Sequence, residues 1–147
     1  MKKTYFTIGF FALLLFVCDQ FLKEAAQAYL ENPIYLTNWL SFRYEQNFGI
    51  AWSIPVPRML LLTLNIVLLG ALPIFFSKSL DLHSKKAQIF LSFLVGGAVG
   101  NLFDRLFRGY VIDYLSIGTF PVFNLADALL CLGIFLIVLF YDKIKRN

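Results

Sequence analysis

The sequence predicts a mainly α membrane protein: four transmembrane helices, with a small β-rich segment in the outer connection between the first and second. Three observations carry that expectation. Hydrophobic residues make up 59% of the 147 and charged residues 15%, with a mean hydropathy of +0.72, too little polar surface to cover a water-soluble globule. Four nearly uncharged runs approach the roughly 20 apolar residues that one bilayer crossing requires. The connection between the first two runs changes its apolar period from helical to alternating.

The first run, uncharged over residues 4–18 behind Lys2 and Lys3, has the outline of a cleavable signal peptide. Phe16 and Val17 are too bulky for a cleavage site, so the run is read as a span that continues through Asp19 to Lys23. The spans then fall at about 4–23, 59–77, 87–104 and 124–142, in a single integral membrane domain over 1–147. In the outer connection one alternating set reads Ile34, Leu36, Asn38, Leu40, Phe42, Tyr44 and the other Tyr35, Thr37, Trp39, Ser41, Arg43. This suggests short strands on the membrane surface, with an irregular aromatic loop as the alternative. Tyr35, Trp39, Tyr44 and Trp52 suit the interface, where a ring is half buried and its polar edge stays wet. Gly96 and Gly100 have the spacing that lets helix backbones approach. Cys18 and Cys131, inside apolar runs, read as packing thiols.

Charge sets the orientation. Lys2, Lys3, Lys78, Lys85, Lys86, Lys143, Lys145 and Arg146 are eight of the thirteen basic residues, and only Asp81 and Asp142 accompany them; the opposite side holds seven of the nine acids. Excess Lys and Arg marks the cytoplasmic side, so both termini are expected there. The net charge of +4 is thus an orientation signal, and nucleic acid is not an expected partner. The lone histidine, His83, cannot build a histidine metal cluster or a Ser/His/Asp triad, and no metal or other cofactor is expected.

Ionisable groups at the spans are expensive and mark candidate sites. Asp19 and Lys23 share a helix face at a spacing that allows an ion pair, which can anchor the helix end or serve a site. Asp104 and Arg105, adjacent in Gly100-Asn101-Leu102-Phe103-Asp104-Arg105, read as opposite charges fixing the exit of the third span. Asp113 follows that span and Asp127 opens the fourth, both at the outer face, and neither has a basic neighbour in sequence. Two adjoining carboxyls in a poorly solvated site share one proton. The ionised member can deprotonate a water while the protonated one polarises a carbonyl, which is peptide hydrolysis without metal, cysteine or histidine. Asn124 and Asp127 also have the spacing of a helix-capping box, which is compatible with catalysis, and the helix dipole favours Asp127 as the member that gives up its proton. Asn47, Asn101 and Asn124 are amides able to orient a carboxylate or a substrate backbone.

Four motifs in order then resemble one family closely. Asp19-Gln20-Phe21-Leu22-Lys23, Asn47-Phe48-Gly49-Ile50-Ala51-Trp52-Ser53, Gly100 to Arg105 with Gly109-Tyr110-Val111-Ile112-Asp113-Tyr114, and Phe120-Pro121-Val122-Phe123-Asn124-Leu125-Ala126-Asp127 are similar to those of the lipoprotein signal peptidases, or signal peptidase II, of bacterial inner membranes. The resemblance covers most of the chain. It implies four transmembrane helices with a small extracytoplasmic β-rich cradle between the first and second. It further implies an aspartyl endopeptidase that cleaves lipid-modified prolipoproteins immediately before the diacylglyceryl-cysteine, with catalytic residues Asp113 and Asp127. Asn47, Asn101, Arg105 and Asn124 would line the site, Asp19 and Lys23 would lie nearby, and Asn47 or Arg105 would hold the substrate backbone. The implied partners are prolipoprotein substrates and membrane lipids, around a monomer. The segment from Asp113 to Asn124 is shorter than the family commonly has, which puts substrate breadth more than chemistry in question. Two other classes remain open at this stage: a small proton-coupled transporter using interfacial aspartates, and a non-enzymatic lipid-binding subunit.

Overall fold

A helix in lipid satisfies its backbone internally, so a chain this apolar folds by choosing which helix faces to bury. The computed structural model describes residues 2–50 and 54–146, which leaves Trp52 and the end of the second motif outside the described residues. Among the described residues, three helices are long and apolar enough to cross a membrane: α1 (Lys2–Tyr29), α2 (Arg58–Ser79) and α3 (Lys85–Phe107). A fourth apolar helix, α4 (Leu125–Leu139), is shorter, with 15 residues, and the single turn α5 (Tyr141–Ile144) follows a break at Phe140. α4, the turn at Phe140 and the start of α5 together occupy the stretch where the fourth run was expected.

α3 is the hub, packing along α1, along α4 and less extensively on α2. Its glycines make this possible. A Cβ at Gly96 would come within 3.0 Å of the Ala12 carbonyl oxygen on α1, one at Gly97 within 2.5 Å of the Ala126 carbonyl oxygen on α4, and one at Gly100 within 2.6 Å of Asp19 Oδ2. Small residues thus face inward while Phe6, Phe10, Leu13, Val17 and Phe21 of α1 and Met59, Leu64, Val67 and Phe75 of α2 point outward. An apolar exterior of that extent suits lipid. Cys18 and Cys131 are free thiols on the same exterior.

The two ends of the bundle are built differently. At one, Leu80, Phe90, Leu91, Leu94, Ile137 and Ile144 form an apolar core, closed where Asp81 N–H donates to the Ile144 carbonyl at 2.7 Å. At the other, the N-terminus of α4 and the C-termini of α1 and α3 meet a small sheet. Gly109, at φ +88°, ends α3 in the left-handed region that glycine adopts without strain, and turns the chain toward β3. Arg58 of α2 donates to the carbonyls of Arg105 and Leu106 at 3.0 and 3.2 Å, placing a cation at the negative end of α3.

The sheet is antiparallel, in the order β1 (Ile34–Tyr35), β2 (Leu40–Asn47), β3 (Val111–Ile117). The alternating segment forms short strands, β1 and β2, separated where Leu36 and Thr37 N–H both donate to the Leu40 carbonyl and the Thr37 hydroxyl accepts from Leu40 N–H, folding the chain into a turn. One expectation is corrected: the sheet does not lie wholly between the first two long helices, since β3 comes from between α3 and α4. A two-stranded hairpin is marginal alone, and β3, whose Ile112 and Tyr114 pack with Ala26 of α1, supplies the third strand. A register shift between Phe42 and Glu45 leaves Glu45 opposite Asp113 and Asn47 opposite Val111. Tyr35 and Trp39 are exposed, whereas Tyr44 is half-buried against Tyr110.

Gly97→Ala should force α4 away from α3 and cost about 1–3 kcal/mol, the usual cost of overpacking. Gly70→Ala on α2, where a Cβ meets nothing within 4 Å, should unfold at or slightly above the parent temperature. Thermal unfolding of both variants in detergent checks the pair.

Candidate active site

Asp113 lies in β3 and is 2% exposed, and Asp127 lies in the first turn of α4, half-buried. Each carboxylate receives asparagine amides whose orientation is set from behind. Asn47 Oδ1 accepts from Gly49 N–H at 2.9 Å, so its Nδ2 faces forward and donates to Asp113 Oδ2 at 2.9 Å. Asn124 Oδ1 accepts from Asp127 N–H at 2.9 Å as the cap of α4, so its Nδ2 donates to Asp113 Oδ1 at 2.7 Å. Asn101 Oδ1 accepts from Lys23 Nζ at 3.1 Å and from Asn124 Nδ2 at 3.2 Å, which turns its own Nδ2 onto Asp127 Oδ1 at 2.7 Å. Asp127 Oδ2 accepts from Asn124 N–H at 3.4 Å, completing a capping box.

Beneath this layer lies a buried ionic cluster. Lys23, fully buried, sits 2.8 Å from Asp19 Oδ2 and 2.9 Å from Asp104 Oδ2, and Asn101 takes its third proton. Asp19 Oδ1 accepts from Ala126 N–H at 2.9 Å, so a carboxylate from α1 faces the positive end of α4. Asp104 accepts in addition from Gln20 Nε2, from Ile112 N–H and from Arg108, which also pairs with Glu24. The expected adjacency of Asp104 and Arg105 does not form an ion pair among the described residues. Neighbours on a helix point about 100° apart, so Asp104 turns inward to Lys23 while Arg105 reaches the Gly49 carbonyl at 3.3 Å. Arg105 Nε is buried and has no partner among the described residues.

Gln20, Glu24, Arg108 and Tyr114 escaped the sequence reading as contributors. Arg108 follows Asp104 by one helical turn, a spacing that could have flagged it. The Tyr114 hydroxyl, which accepts from Leu125 N–H at 3.2 Å, carried no such signal because the contact depends on the strand's path to α4. Burial pushes that phenol up to about 12, so it stays protonated.

Burial first, and the adjacent Asp127 charge second, push the Asp113 carboxyl up to about 7, against the pull of the Asn47 and Asn124 amides and of Lys23. Near neutrality Asp113 therefore carries a proton for much of the time. A cleft of about 290 Å³, walled by Glu45, Asn47, Phe120 and Val122, opens onto it. The arrangement offers two carboxyl groups held by a shared set of asparagine amides and, among the described residues, an unpartnered guanidinium N–H on Arg105.

Comparison with known proteins gives the same direction throughout. The family model described as signal peptidase (SPase) II matches residues 11–142. The chain is 39% identical over 125 residues to a lipoprotein signal peptidase of Caldicellulosiruptor bescii, covering 83% of this chain and 81% of that one. It is 35% identical over 158 aligned residues to a lipoprotein signal peptidase of Chlorobium phaeobacteroides, covering 95% and 90%. Among solved structures, a bacterial membrane enzyme determined in meso at 2.3 Å superposes with a TM-score of 0.81 at 29% identity, over 93% of this chain and 88% of that one. Another, at 1.9 Å, gives 0.78 at 30% identity, over 90% of each.

Lys23→Ala would leave Asp19 and Asp104 buried without their shared cation, a loss of about 3–5 kcal/mol for a broken buried pair. The variant should unfold at a clearly lower temperature than the parent. An unchanged unfolding temperature would mean that the two carboxylates find other partners.

Proposed function

The chain belongs to the signal peptidase II family, and from that membership we propose that it is an aspartyl endopeptidase of the bacterial inner membrane. It removes signal peptides from lipid-modified prolipoproteins by cutting immediately before the diacylglyceryl-cysteine. Lipoprotein signal peptide processing follows from the family and its relatives. The aspartyl mechanism rests chiefly on one observation: Asp113 and Asp127, from different elements, are joined through Asn124 and Asn101 in a buried layer that keeps the Asp113 carboxyl near 7.

In this reading Asp113 holds the shared proton and Asp127, at the positive end of α4, is the anion. Asp127 takes a proton from a water whose oxygen attacks the scissile carbonyl carbon, while Asp113 donates its proton toward the carbonyl oxygen. The tetrahedral intermediate collapses as the proton on Asp127 passes to the leaving nitrogen and a hydroxyl proton of the intermediate returns to Asp113, which restores the dyad. Arg105, with its unpartnered Nε, holds a substrate backbone carbonyl. Asn47 and Asn124 hold Asp113, Asn101 holds Asp127, and Lys23 with Asp19 fixes Asn101 and the start of α4.

The proposed topology is four crossings of one domain, with both termini in the cytoplasm and the dyad toward the outer face. α4, at about 22 Å, is about 8 Å shorter than a hydrocarbon core of about 30 Å. With its C-terminus at the inner boundary, its N-terminus and Asp127 lie below the outer one. That depth suits a bond next to a cysteine whose acyl chains remain in the leaflet. The enzyme acts as a monomer on substrates that reach it within the bilayer. The transporter reading loses ground because the buried carboxylates gather at one end, while Ala12, Leu94, Gly96 and Gly97 fill the bundle beyond them.

The test is cleavage of a diacylglyceryl-modified prolipoprotein, and of the same precursor without lipid, by purified protein. Only the lipidated form should be cut, and Asp113→Asn and Asp127→Asn should each lower kcat by at least about a thousandfold with the fold intact, as expected for the loss of an acid–base group. Cleavage by both variants at the parent rate would refute the dyad.

The pH profile carries the sign of the Asp113 shift. Ionisation of Asp113 as pH rises through about 7 removes the proton that the carbonyl needs, so kcat/KM should fall on the alkaline side of about 7. A rate that stays flat to pH 9 would place the proton elsewhere.

A further inference from the structure

The cluster and dyad occupy one end of the bundle; the opposite end carries a feature that the peptidase reading does not use. Between the first turns of α1 and α3 lies a cleft of about 510 Å³. Lys3 and Thr7 of α1 and His83 and Lys85 before and in α3 line its mouth, and Phe11 and Ile89, both partly exposed, continue its wall along the helices. No acidic side chain lines it. Among the described residues neither Lys3 nor Lys85 is in an ion pair, although both are exposed. Of the other cations at this end, Lys86 and Lys143 lie over the Phe140 ring, Lys145 pairs with Asp142 at 2.9 Å, and Lys78 and Arg146 line a separate, neighbouring cleft. Asp81 accepts from His83 N–H and lines a neighbouring cleft. Ser84 caps α3 without a side-chain hydrogen bond and no acid lies in the first turn, so the positive end of α3 adds to the two ammonium groups.

We propose that this cleft binds the phosphate headgroup of an anionic glycerophospholipid, with Lys3 and Lys85 on the phosphate and an acyl chain against Phe11 and Ile89. Unpaired cations, a helix N-terminus and an apolar wall leading into the bilayer match a molecule with an anionic head and a hydrocarbon tail. A free phosphate would use the mouth and leave the wall bare. The proposal depends on the chain lying in a membrane and not on its peptidase chemistry.

The experiment measures thermal unfolding of the full chain in neutral detergent with added phosphatidylglycerol, phosphatidylcholine or inorganic phosphate. The expected result is a saturable rise in unfolding temperature with phosphatidylglycerol alone. Lys3→Gln combined with Lys85→Gln should raise the half-saturating lipid concentration by at least about tenfold, while Lys145→Gln, which removes an already paired cation, leaves it unchanged. Because Lys3 and Lys85 are exposed, the double variant should unfold at the parent temperature without lipid. Equal shifts with phosphatidylcholine, a shift with inorganic phosphate matching that of the lipid, or an undiminished response in the double variant would each overturn the assignment.

Discussion

A single ammonium group out of reach of water organises the site end of this protein. Burying Lys23 costs several kcal/mol, and the cost is met because its three protons meet Asp19, Asp104 and Asn101. Each partner then does something further. Asp19 reaches across to the first turn of α4, Asp104 accepts from the start of β3, and Asn101 is obliged to present its amide hydrogens to Asp127. The cation therefore aligns α1, α3, α4 and β3, and it sets the orientation of an amide that touches a candidate catalytic carboxylate.

The same logic of orientation by obligation runs through all three asparagines. An amide whose oxygen is already engaged can offer only hydrogens, so Asn47, Asn101 and Asn124 act as fixed donors without a charge of their own. Donors alone would favour ionised carboxylates. Burial and mutual repulsion oppose them, and at Asp113 these win by enough to keep the carboxyl near 7. A polar layer of this kind is tolerable in a membrane protein because it sits at one end of the bundle, under a sheet, while glycines and alanines hold the rest of α3 against its neighbours.

Much of this was legible in the sequence, and the limits have physical causes. Composition and uninterrupted apolar runs reveal membrane helices directly, because lipid demands them. Asp113 and Asp127 stood out as acids at one face with no basic neighbour, and the fold brings both to Asn124. What failed depended on contacts between segments distant in sequence. β3 pairs with β2 across the whole of α2 and α3, and nothing local in the outer connection announces that partner. Likewise Asp104 looked committed to Arg105 beside it, when helix geometry sends it to Lys23 instead.

The central claim, that Asp113 keeps a proton near neutrality because it is buried beside Asp127, is tested most directly by infrared titration of the carboxyl C=O band in the purified protein. The account predicts a protonated carboxyl that titrates near 7, is missing in Asp113→Asn, and shifts downward in Asp127→Asn once the neighbouring charge is gone. A band that titrates in the ordinary carboxylate range of about 4, or one indifferent to Asp127, would contradict it.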